Sequence, residues 1–175
     1  MSKFTLAASY QWTVKSGEPV LSEKAIKKLS DALKKRFSEG KSKHFQINYK
    51  RLRSSAGRNV LDSIYKRIYE CNALIVDITE MNPNVFIELG MAISRTKSDE
   101  TFSLYIIREV KSEGDLLKNL PSDLQGYFIS GYYLEKNEVR FIDNNSLHMS
   151  LVSDIIDYYQ KQSVDISSDE INFKV

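Results

Sequence analysis

The residues of this chain best suited to chemistry lie in one stretch, Asp77-Ile78-Thr79-Glu80-Met81-Asn82-Pro83-Asn84-Val85-Phe86-Ile87-Glu88-Leu89-Gly90. Asp77, Thr79, Asn82 and Asn84 bring a carboxylate, a hydroxyl and two amides to what reads as the end of a strand and the start of a helix. Free backbone N–H groups collect at such a place, and together these groups suit a phosphate or a ribose. Glu88 follows among Phe86, Ile87 and Leu89. A carboxylate with apolar neighbours either reaches solvent on the helix's outer side or lines a pocket, where partial desolvation raises its pKa and suits it to catalysis. Spacing alone favours the solvent-exposed reading. No Cys/His spacing resembles a zinc site, so no metal is expected. No G-x-G-x-x-G loop is present, which argues against a standard nucleotide-hydrolase or dehydrogenase site. Cys71 reads as core, and His44 and His148 have no partners nearby in sequence.

The elements that must position this segment alternate in type. Lys3 to Ser9 reads as a strand, and Ser22 as the N-cap of a helix in which Ala25, Ile26, Leu29, Leu33 and Phe37 repeat at helical spacing up to Gly40. His44 to Tyr49 is a second strand, and after Gly57 a helix is expected to bury Val60, Leu61, Ile64, Tyr65 and Ile68. Ala73-Leu74-Ile75-Val76 is an unbroken apolar run, the mark of a central strand covered on both faces. Asn82-Pro83 is a helix-start signal, with the helix running to about Thr96. Phe102 to Ile107 and Gly126 to Leu134 read as strands, Val139 to Ile142 as a hairpin partner, and Leu147 to Tyr159 as a last helix. Strands alternating with amphipathic helices imply a mainly parallel sheet with helices on both faces, which binds ligands at the carboxyl ends of its strands.

At 175 residues and 42% hydrophobic, the chain has material for one core, here residues 1–162, with 163–175 read as a polar tail. No apolar run suits a membrane span, and the N-terminus does not read as a signal peptide. A cytoplasmic setting without a membrane partner is expected. The net charge of +2 conceals +10 over residues 1–70 and −8 over the rest. Solvated helix faces account for this asymmetry, and without a recognised motif nucleic acid is not expected as a partner.

Ala73 to Thr79 followed by Asn82-Pro83-Asn84-Val85-Phe86-Ile87-Glu88-Leu89-Gly90-Met91-Ala92 resembles the signature of the bacterial TIR-like, nucleoside 2-deoxyribosyltransferase-like superfamily. A looser similarity follows at Leu120 to Ile129, and the resemblance covers roughly residues 3–134. It implies a flavodoxin-like three-layer sandwich that acts on nucleosides or on dinucleotides such as NAD. It also implies a helix glutamate that attacks or stabilises the anomeric carbon, here Glu88. NAD or a nucleotide would be substrate or ligand, and no resident cofactor is implied. By position, Asp77 and Thr79 could hold ribose hydroxyls, Asn82 and Asn84 could orient the ligand, and Ser9 and Tyr10 could border the base. Arg53, with Arg51, could meet phosphates. Each also has a structural reading: loop hydrogen bonds for Asp77 and Thr79, a helix cap for Asn82, packing for Tyr10 and an exposed loop for the arginines. Many relatives carry a proline-containing turn where this chain has Ala7-Ala8-Ser9-Tyr10. The resemblance further suggests antiviral defence, with an activating partner or homo-oligomerisation. Two other functions fit the same residues: a non-catalytic nucleotide-binding or TIR-type interaction module, and a deoxyribosyltransferase of nucleoside salvage.

Overall fold

The computed structural model describes residues 3–11, 21–38, 46–52, 60–111, 115–142 and 146–162. Arg53, His44, Gly57 and the 163–175 tail lie outside them. Six strands form one sheet: β1 (Phe4–Ser9), β2 (Ile47–Arg51), β3 (Ala73–Asp77), β4 (Ser103–Glu109), β5 (Ile129–Glu135) and β6 (Glu138–Phe141). Four helices connect or close it: α1 (Leu21–Ser38), α2 (Val60–Glu70), α3 (Pro83–Thr96) and α4 (Ser146–Lys161). The strand order is β2-β1-β3-β4-β5-β6. The first five strands are parallel, and β6 returns antiparallel to β5 as a hairpin. This is the expected flavodoxin-like α/β sandwich.

Burial explains the layers. Every residue of β1 and β3 is buried, as required of central strands with helices on both faces. The apolar stripe of α1 is carried by Ile26, Leu29 and Leu33, which meet α4 residues Leu151 and Ile155 over Leu6, Ile75 and Ile107. On the other face Ile64 and Ile68 of α2 and Val85, Leu89 and Ala92 of α3 cover Leu74, Val76 and Ile106. Arg95 locks the far end of α3: its guanidinium donates to the Ile68 and Cys71 carbonyls, pairs with Asp99 at 2.7 Å and lies 4.1 Å from the centre of the Phe102 ring. No helix among the described residues is long and apolar enough to cross a membrane.

Some expectations change. Ser22 is not the cap of α1 but lies within it, since the helix already includes Leu21, and its buried hydroxyl faces the Tyr132 hydroxyl. The buried stripe of α2 is narrower than expected: Ile64 and Ile68 face the sheet, whereas Leu61 and Tyr65, part-way round the helix, are exposed with Tyr69. Arg51 ends β2 instead of following it. The 3-10 turn at Ser122–Leu124 and the bend after it delay β5 to Ile129. Cys71 is core as expected, and burial pushes its thiol up to about 11.

Candidate functional site

The sheet order reverses between β1 and β3, since the chain runs from β1 outward to β2 and then returns to place β3 on the other side of β1. The carboxyl ends of these two strands therefore border the crevice where open α/β sheets receive ligands. Ser9 ends β1 and Asp77 ends β3, with Ser9 in register with Val76.

A turn leads from β3 into α3. Met81 N–H donates to Ile78 O at 3.1 Å, and Met81 adopts φ 51°, a left-handed conformation that costs a non-glycine residue roughly 1 kcal/mol. Asn82 then caps the helix, its Oδ1 accepting from Asn84 N–H at 2.8 Å, and Pro83 follows at the first helical position. The Asn82 amide also donates to Gln11 Oε1 at 2.9 Å, so the start of α3 is tied to the segment after β1. The Asn84 side chain is exposed at this end of the helix.

Glu88 lies along the same line of α3 as Val85 and Ala92, both buried against the sheet. Its carboxylate is consequently held inward, where the Ser9 hydroxyl donates to Oε2. Ser9 itself is 1% exposed. Burial raises the Glu88 pKa above the ordinary carboxylate range, and the Ser9 hydrogen bond offsets part of that rise. Among the described residues, Ser9 is the hydrogen-bond partner of this carboxylate. The alternative of a glutamate on the helix's outer side is not what the structure has.

Asp77 points into the protein and is 3% exposed. Oδ1 accepts from Thr79 N–H at 2.8 Å and from the Thr79 hydroxyl, and Oδ2 accepts from the Tyr132 hydroxyl. The Tyr132 hydroxyl lies 3.3 Å from both Ser22 Oγ and Thr79 Oγ1, and Thr79 Oγ1 accepts from Glu109 N–H at 2.8 Å. Burial raises the pKa of Asp77, and the hydrogen bonds from Thr79 and Tyr132 act against it. Burial, then Asp77 and Glu80, also push Glu109 upward. The polar groups of Asp77 and Thr79 thus serve each other and the carboxyl edge of the sheet.

Tyr10 is buried, with the Arg51 guanidinium 4.4 Å above its ring. The structure therefore brings together Glu88 with Ser9, and Asn82 with Asn84 and Gln11. It places Asp77 and Thr79 in a separate network with Tyr132, and Tyr10 against Arg51 of β2. Gln11, Glu109 and Tyr132 belong to these networks but carry no sequence signal, because their roles depend on how the strands are placed, and Ser22, which reads as a helix cap, joins them instead. No group of His, Cys, Asp and Glu among the described residues is arranged to hold a metal ion.

The fold and site define a flavodoxin-like α/β sandwich with a partly desolvated glutamate beside its switch point. The sequence matches no protein-family profile, and no curated protein matches it at a significant level.

Proposed function

We propose that this protein cleaves or exchanges the N-glycosidic bond of NAD or a related nucleotide, with Glu88 as the essential carboxylate. The observation that supports this reading is the Glu88 carboxylate drawn off the solvent side of α3 to the carboxyl end of β1, where Ser9 holds one of its oxygens. Breaking the bond between the anomeric carbon and the base leaves positive charge on the ribose. A carboxylate in a partly desolvated site can stabilise that charge or bond to the carbon. Glycosidases employ carboxylates for the same reason. The nicotinamide of NAD is already cationic and departs with the bonding electron pair as a neutral base, so no acid need protonate it. Water or a second base then takes the anomeric carbon. Oxygen Oε2, held by Ser9, fixes the side chain, and Oε1 is the oxygen this reading assigns to the anomeric carbon. A role in antiviral defence, and activation by self-assembly or by a partner, extend this proposal from the sequence resemblance.

The test is incubation of the purified chain at high concentration with NAD and a nucleoside mixture, followed by chromatography and mass spectrometry, beside Glu88→Gln. Release of nicotinamide that the variant loses by about 100-fold or more is expected for a lost transition-state interaction of this kind. Base exchange on free nucleosides with NAD untouched would replace the reading by nucleoside salvage. Unchanged ligand binding and function in Glu88→Gln would replace it by a non-catalytic module.

A further inference from the structure

At the amino end of the sheet, away from Glu88, β4 begins before β5 does. Ser103 N–H donates to Asn72 O, and Ile107 O accepts from Ile78 N–H, so the odd-numbered residues of β4 direct their backbone groups toward β3. Val110 N–H, just past β4, donates to Tyr132 O on the opposite side, so the even-numbered residues face β5. Pairing with β5 starts at Ile106 opposite Ile129. Leu104, earlier in the same alternation, turns its N–H and C=O toward a place that β5 does not reach.

That place is a cavity of about 440 Å³ whose walls include Leu104, Tyr105, Tyr127, Phe128, Leu147 and Ser150. Tyr105 is fixed there by its hydroxyl bond to Asp154. Phe128 is 68% exposed and Tyr127 37%, so aromatic surface is left to water beside an amide edge. The volume is that of a small-molecule site, which typically measures roughly 300–1,000 Å³. The open stretch of β4 is confined to Ser103, Leu104 and Tyr105, too short to take an added strand, because pairing with β5 begins at Ile106.

We propose that this cavity binds a small planar heterocycle bearing a hydrogen-bond acceptor and donor on adjacent positions, as on an adenine or aminopyridine edge. The acceptor takes the Leu104 N–H, the donor goes to the Leu104 C=O, and the ring face lies against Phe128. This is a second site, separate from the Glu88 crevice in position and in chemistry, and it does not depend on the proposed reaction.

The probes are adenine, 2-aminopyridine and 7-azaindole, titrated into the isotope-labelled full chain and followed by amide NMR. Saturable shifts centred on Leu104 and Phe128, with millimolar or tighter dissociation constants, are expected from at least one. N,N-dimethylation of the aminopyridine should abolish them. Phe128→Ala should weaken binding about tenfold, the size of a lost base–aromatic stack. Phe128 is exposed, so this change leaves the core intact. Ser150→Phe, at an exposed α4 position on the cavity wall, should block entry, and Glu88→Gln should leave binding unchanged. No saturable shift at Leu104 from any probe, or shifts confined to Ser9 and Glu88, would overturn the proposal.

Discussion

The Glu88 carboxyl is held between two opposed influences, burial that favours its neutral form and the Ser9 hydroxyl that favours its charge, and burial is the larger. Its folded-state pKa therefore lies above the unfolded value of about 4. A group with a raised folded pKa contributes stability that is fully present below the unfolded pKa and is lost as pH rises through the folded pKa. Where it is ionised, the glutamate is a burden on the fold. Glu88→Gln, which is uncharged at any pH, should melt at a higher temperature than the parent chain at pH 7, with the difference shrinking as pH falls toward 4. Calorimetry across this range checks it, and a lower melting temperature at pH 7 would mean that the Ser9–carboxylate bond outweighs desolvation. The position of Glu88 was more legible than its immediate neighbours implied. Phe86, Ile87 and Leu89 leave its direction ambiguous, but Val85, Glu88 and Ala92 share one helical line, and that line meets the sheet. The hydroxyl it meets was not legible, since Ser9 reaches Glu88 across a gap of 79 residues in sequence.

Helix α3 sets where Glu88 stands, and its first turn is a rigid mount. Asn82 serves it twice, by accepting from Asn84 N–H and by donating to Gln11, while Met81 takes the left-handed turn that aims the chain into the helix. Asn82→Ala should cost about 1 kcal/mol of stability as a lost cap, read by urea denaturation, and should lower the proposed Glu88-dependent activity as well. Gly90 is the internal control on the same helix: a Cβ there would meet nothing within 4 Å, so Gly90→Ala should stabilise by about 0.5–1 kcal/mol without loss of activity. If both variants lost activity equally, the cap would have no special part in positioning the glutamate. The start of α3 was plain in Asn82-Pro83, and the central strand in its unbroken apolar run, because both signals are local. The edges of β2 and β5 were not. The apolar pattern runs on from Gly126 through Leu134, yet Leu124 to Tyr127 are held in turns by Leu124 N–H to Pro121 O and Tyr127 N–H to Leu124 O. Likewise Leu61 and Tyr65 look like core in sequence and are exposed, because only one arc of α2 can face the sheet.

Across the molecule, the carboxyl edge of the sheet is joined by one polar network, buried at Ser22, Asp77 and Tyr132 and reaching the surface at Thr79 and Glu109. Ser22 of α1, Asp77 of β3, Thr79 of the following turn, the Glu109 N–H of β4 and Tyr132 of β5 all take part. Tyr132 is fully buried, and its hydroxyl reaches across β4 to Asp77, which no local pattern in the sequence could convey because it follows from strand order and register. The network links α1, β3, β4 and β5, so its integrity bears on the whole parallel sheet. Tyr132→Phe removes one of the hydrogen bonds that Asp77 accepts inside the protein, leaving those from Thr79 and Ser22. A lost hydrogen bond to a buried carboxylate costs roughly 1–3 kcal/mol. The pH dependence separates this from packing. The Asp77 folded pKa is already raised by burial, and the Tyr132 hydrogen bond is among the interactions that restrain it. Its loss raises the folded pKa further, so the penalty for the charged form grows above the unfolded value near pH 4 and vanishes below it, where Asp77 is neutral in both states. Denaturant unfolding should accordingly show a wider gap between parent and Tyr132→Phe at pH 7 than at pH 4. An equal gap at both would mean that Tyr132 supports the sheet by its ring alone and that Asp77 is held by Thr79.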